Sequence, residues 1–104
     1  MFGNMKEMLK QAQNMKAQMA KVKNELEQIE VEGSASNGAC VVKMTADMKV
    51  TSVSLDETLL SSNKDVIDNA IKVATNDALT KAKDTAAKRL KSVTGGLSDM
   101  LPGL

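Results

Sequence analysis

Met5, Met8, Ala12, Met15, Met19, Val22, Leu26 and Ile29 recur at intervals of 3, 4, 3, 4, 3, 4 and 3 residues. This is the apolar stripe of a heptad repeat. A stripe so narrow cannot centre a globular core, so the helix it predicts, residues 4–30, must lie along another long helix of the same chain or of a partner. No Gly or Pro interrupts it, and its Met, Lys, Gln, Glu, Ala and Leu residues all favour helix. Gly33 ends any continuation.

The period then changes from helical to alternating. Asn37-Gly38 is a strong hairpin signal, because both central residues of a type I′ turn require positive φ. Folding the chain there sets Val31 against Met44, Gly33 against Val42 and Ala35 against Cys40 on an apolar face, with Glu32 facing Lys43 on the other. A second reversal at Ala46-Asp47-Met48-Lys49 sets Thr51 against Met44, Val53 against Val42 and Leu55 against Cys40. Three strands, 30–36, 39–46 and 49–55, therefore share one apolar face.

Residues 56–62 read as a short connector, with Ser61, Ser62 and Asn63 available to cap the next helix. From residue 64 to 94 that helix is long and marked on one face by Ile67, Ala70, Ile71, Ala74, Ala78, Ala82, Ala86, Leu90 and Val93. Its alanines allow close approach of a neighbour. Gly95-Gly96 is expected to stop this helix and leave residues 95–104 as an irregular tail. The fold class is thus α+β, in the order α-β-β-β-α with a three-stranded antiparallel sheet, as a single domain over 1–104.

Composition narrows the function. The 104 residues contain no His, Tyr or Trp, one Cys and one Phe, so the side chains on which most proton-transfer and nucleophilic chemistry depends are almost absent. An enzyme is not expected, nor a cofactor, a metal or a small-molecule substrate. The lone Cys40 cannot close an internal disulfide, and its place on the apolar face reads as a buried thiol. Asp65 and Asp68 read as an exposed acidic first turn. No apolar run is long enough to span a bilayer and no signal peptide is evident, so the expected location is the cytoplasm. A chain of this length buries a modest core alone, and a homodimer is expected.

The net charge is only +1, yet the charges are segregated. Residues 1–24 carry Lys6, Lys10, Lys16, Lys21 and Lys23 against Glu7, five minus one or +4; residues 25–32 carry Glu25, Glu27, Glu30 and Glu32, or −4. Residues 81–91 carry Lys81, Lys83, Lys88, Arg89 and Lys91 against Asp84, again +4. The macrodipole accounts for cations near the end of the last helix but disfavours the arrangement in the first. If the two helices pack antiparallel, their basic ends are expected to meet far from the sheet. Those ten cations are then candidate contacts to phosphate groups. The competing reading is a solvated coiled-coil surface.

Met1-Phe2-Gly3, Lys10-Gln11-Ala12-Gln13 followed by Met15 and Met19, and Val31-Glu32-Gly33 together resemble the YbaB/EbfC nucleoid-associated proteins. So do Val53-Ser54-Leu55-Asp56 before Leu59-Leu60, Asn76-Asp77-Ala78, and the run from Gly95-Gly96-Leu97 to Leu101-Pro102-Gly103. The resemblance covers essentially the whole chain. It implies a homodimer joined through its sheets, long helices projecting as tweezer arms, and binding to duplex DNA in the bacterial nucleoid. Asp65, Asp68 and Asp77 depart from the more basic last helix of confident DNA binders. Two other classes fit the element order: a prefoldin-like holdase gripping unfolded chains with its Met-rich seam, and a scaffold recruiting recombination or repair proteins.

Overall fold

The computed structural model describes the backbone of residues 2–100 and the side chains of residues 4–93. The order is α1 (Phe2–Gln28), β1 (Glu30–Ala35), β2 (Cys40–Thr45), β3 (Val50–Leu55), α2 (Glu57–Leu60) and α3 (Lys64–Met100), which is the α-β-β-β-α layout. The strands form one antiparallel sheet in the order β1-β2-β3. The molecule is elongated, 71 × 26 × 16 Å, because α1 and α3 run out from the sheet as an arm.

The first hairpin has the register expected of it: Val31 faces Met44, Glu32 faces Lys43, Gly33 faces Val42 and Ala35 faces Cys40. Its turn holds Asn37 and Gly38 at positive φ, joined by Ser36. The second reversal differs. Met44 faces Val50, not Thr51, and the register shifts between Lys43 and Met44. The cause is a three-residue loop, Ala46-Asp47-Met48, with Met48 left-handed at φ 72° and the Thr45 amide donating to the Lys49 carbonyl at 2.8 Å. This shorter loop advances β3 by one residue, and a bulge at Thr51 restores Val53 opposite Val42 and Leu55 opposite Cys40. The Thr51 hydroxyl donates to the Glu30 carboxylate at 3.1 Å.

Both long helices end elsewhere than expected. α1 stops at Gln28, two residues early, because Glu30 is drawn into β1 opposite Thr45. α3 runs through Gly95-Gly96 to Met100. Two glycines cost a helix roughly 1 kcal/mol each relative to alanine, but they leave every backbone hydrogen bond available. Residues 101–104 of the expected tail lie outside the described residues. At the other end, the Asn63 side chain accepts the Val66 amide at 3.0 Å and caps α3.

The core forms where α3 lies across β1 and β2. Cys40, Val42 and Met44 from β2, Leu59 from α2, and Ala70, Ala74, Ala78 and Ala82 from α3 are all buried. Burying side chains of the size of Val42 and Met44 contributes about 1.5–3 kcal/mol each. Methyl-sized residues on α3 let the strand approach so closely that β1 has a glycine, Gly33, at the crossing. A smaller cluster of Val22, Leu26 and Ala46, backed by Ile29, Ala86, Leu90 and Val93, fastens the base of α1 to α3.

Burial raises the pKa of the Cys40 thiol, by desolvation of the thiolate. Cys40 should therefore react with a thiol reagent only on the timescale of unfolding, and Cys40→Ala should fold and retain function. Rapid labelling of the native protein, followed by mass spectrometry, would contradict this placement.

Candidate nucleic-acid interface

The antiparallel stagger of the arm decides where its cations lie. Arg89 of α3 is 3.7 Å from the Glu25 carboxylate of α1. Gln18, Lys21, Val22 and Glu25 line a shallow groove with Arg89, Ser92 and Val93. Val22 is thus level with Val93. At 1.5 Å per residue, Lys6 lies about 24 Å outward from that level and Lys81 about 18 Å inward, so the ends of the two sets are roughly 42 Å apart.

The expectation that the basic ends of both helices meet far from the sheet therefore needs correction: they meet where Lys21 and Arg89 line one groove, not at the outer tip of α1. The cations at 81–91 lie at the root of the arm, beside the acidic end of α1. Lys6, Lys10 and Lys16 occupy the outer part, whereas Lys21 and Lys23 flank Val22 at the junction of the two helices, Lys21 lining the same groove as Arg89. The stagger is set by which seam residues meet: Val22 and Leu26 pack with Leu90 and Val93, and that pairing draws the end of α3 alongside the middle of α1.

All ten candidate side chains are exposed, but their surroundings differ. Lys81 is engaged. Its Nζ donates to the Glu32 carbonyl at 2.8 Å and lies 3.4 Å from the Asp77 carboxylate. Asp77 in turn accepts the Ser34 amide at 3.1 Å. That hydrogen bond, with the smaller influence of Lys81, holds the Asp77 carboxyl below its ordinary pKa against a modest opposing desolvation. Asp77 and Lys81 together satisfy backbone groups along the outer edge of β1, a structural task that the spacing of α3 alone did not reveal. Asp68 forms an ion pair with Lys64 one turn earlier, at 3.2 Å.

On α1, at 100° per residue, Lys6, Lys10 and Lys21 fall within about 60° of one another on the side opposite the heptad stripe. Lys16 and Lys23 flank that stripe. The stripe itself is covered only at its base: Val22 is 4 % exposed and Leu26 8 %, whereas Met5 and Met8 are 69 % and 68 % exposed. The outer part of α1 is thus a single helix, with lysines on one face and uncovered methionines on another. Such a surface can attract an anionic one. Among the described residues, no group of three or more His, Cys, Asp or Glu side chains could hold a metal ion, and no helix is long and apolar enough to cross a membrane.

Comparison with known proteins identifies the family. The family model of the YbaB/EbfC DNA-binding family matches residues 1–97. A nucleoid-associated protein of Afipia carboxidovorans is 40 % identical over 98 residues, which is 93 % of this chain and 91 % of that protein. The crystal structure of an uncharacterized protein from Helicobacter pylori superposes with a TM-score of 0.75, covering 82 % of this chain and 90 % of the other; at 13 % identity this likeness concerns the fold alone. With a family model matching nearly its full length and a close nucleoid-associated relative, the chain belongs to the YbaB/EbfC DNA-binding family.

Proposed function

We propose that this chain is a non-enzymatic, nucleoid-associated protein that binds duplex DNA as a homodimer, chiefly through lysine contacts to phosphate, and thereby influences nucleoid organisation and gene expression. The observation that carries the reading is the excess of five lysines over one glutamate along α1, with Lys6, Lys10 and Lys16 on its projecting outer part. Contacts of that kind recognise the regular phosphate array and not the bases, so sequence preference is weak.

The homodimer rests on the uneven cover of the sheet. β3 is an edge strand, and Val50 and Val53 share the apolar face of Met44 and Val42 yet remain half-exposed. A second copy is the occupant that would cover them.

Titration of a duplex of mixed sequence at several salt concentrations tests the reading. Each phosphate contact contributes about 0.9 to the slope of log K against log salt, so the five lysines of one protomer alone give a slope near −4.5, a loss of affinity of roughly 500-fold for a fourfold rise in salt, and engagement of both protomers steepens it. Salt-independent binding, or none, would refute it. The uncovered Met5, Met8 and Leu9 favour one other reading, a prefoldin-like holdase. Suppression of aggregation of an unfolding substrate, with no affinity for duplex DNA, would establish that reading in its place.

A further inference from the structure

Contacts to DNA phosphate would use the lysines of α1 and leave its uncovered apolar side chains without a task. We propose that the outer part of α1 is also a peripheral membrane anchor, which seats Met5, Met8 and Leu9 among the headgroups of an anionic bilayer. This inference does not rest on the DNA-binding reading.

The patch is open and faces away from the rest of the arm. Met5, Met8 and Leu9 are 69 %, 68 % and 65 % exposed. At 100° per residue they centre about 70° around the helix from Val22 and Leu26, the pair that packs with α3. Met15 and Met19 turn back toward that pair and are less exposed, 36 % and 44 %. α3 therefore stands beside the patch and not in front of it, so a flat surface can reach it.

Charge is set behind the patch in the sense that an anionic surface requires. Lys16 and Lys23 fall on the same side of α1 as Met5, roughly 10 and 21 Å inward from Leu9. Glu7 is the one carboxylate of residues 4–24, and it points to the opposite side. Lys6 and Lys10, on the far side of the helix, add to the field that draws an anionic surface in.

An apolar tip backed by cations is the arrangement of an interfacial helix. Its apolar side chains enter the boundary between headgroups and acyl chains, while lysine stems lie along that boundary with their ammonium groups at the lipid phosphates. A duplex complements the lysines alone; a bilayer complements both sets. Among the described residues no helix is long and apolar enough to cross a membrane, so the association is peripheral.

Co-sedimentation of the full-length chain with vesicles tests the proposal. It should bind equimolar phosphatidylglycerol and phosphatidylcholine, and bind phosphatidylcholine alone about tenfold or more weakly. A lysine near an anionic surface contributes roughly fivefold, so Lys16→Gln/Lys23→Gln should weaken binding to the mixed vesicles about 25-fold. Met5→Gln/Met8→Gln/Leu9→Gln should weaken it about tenfold or more while leaving affinity for duplex DNA within about twofold. Met48→Gln, at an exposed methionine of the second hairpin, is the control and should change nothing.

Equal binding to both kinds of vesicle, or unchanged vesicle affinity in the Met5, Met8 and Leu9 variant, would overturn the inference. So would loss of duplex binding in step with vesicle binding in that variant, its helicity being intact. A fall in its oligomeric mass would assign the patch to a second copy instead, and suppression of aggregation by a parent chain that ignores vesicles would assign it to unfolded chains.

Discussion

Replacing Gly33 by alanine is expected to destabilise the fold by about 3 kcal/mol or more and to lower its melting temperature by roughly 10–20 °C. Gly33 lies in β1 opposite Val42, where the strand crosses α3. A Cβ there would run into the carbonyl oxygen of Ala74 and the amide nitrogen and Cα of Ala78. These are backbone atoms of a helix, so no rotamer change can make room; the strand and the helix must move apart. That movement would open the most tightly packed part of the core, where Ala74, Ala78 and Val42 are wholly buried. It would also pull Ser34 from Asp77 and Glu32 from Lys81, the two contacts that fasten the edge of β1. Thermal unfolding monitored by circular dichroism at matched protein concentration measures the loss. A Gly33→Ala variant melting within a few degrees of the parent would show that the crossing is looser than its geometry implies.

Gly33 also marks the boundary of what the sequence reveals. Its register was legible, because Asn37-Gly38 specifies a turn and the alternation of Val31, Gly33 and Ala35 against Cys40, Val42 and Met44 admits one apolar face. The alanine face of α3 signalled close approach in general. Which residue meets which alanine depends on tertiary packing and was not legible. The second hairpin shows the same limit at shorter range. Ala46-Asp47-Met48-Lys49 is polar enough to turn, but choosing a three-residue loop with left-handed Met48 over a four-residue one is a difference that a bulge at Thr51 can absorb. Gly95-Gly96 was misleading in the opposite sense. Intrinsic propensity marked a stop there, and the backbone continues as helix to Met100.

The candidate site divides along the same line. Segregation of lysine from glutamate in α1 was visible because it runs against the helix dipole. Its consequence was not, since antiparallel helices can meet at many staggers and only the packing of Val22 and Leu26 with Leu90 and Val93 selects one. That stagger turned an expected pair of basic tips into an outer row of lysines on α1 and a second cluster on α3 nearer the sheet.

Replacing Val53 by aspartate is expected to convert the proposed homodimer to monomer, moving the mass in light scattering from twice 11.1 kDa, the value expected of the parent, to 11.1 kDa. Val53 lies on the apolar side of the sheet opposite Val42, but β3 is the edge strand and the side chain remains 52 % exposed. Val50, opposite Met44, is exposed to the same degree. Fully burying a valine contributes about 1.5–3 kcal/mol, so covering two half-exposed valines from each copy supplies a few kcal/mol to association. The opposite edge is less available, because Asp77 and Lys81 already engage the backbone of β1 at Ser34 and Glu32. Sheet edges closed in this way resist strand addition, and open ones invite it. An aspartate at position 53 would place a carboxylate from each copy in the apolar contact, where desolvation and like-charge repulsion both oppose association. Ser54→Asp is the control: Ser54 points to the other face, opposite Val41, and its variant should retain the dimer mass. If Val53→Asp remains dimeric at low micromolar concentration, the copies do not meet through β3, and the exposed methionines of α1 become the surface to test next.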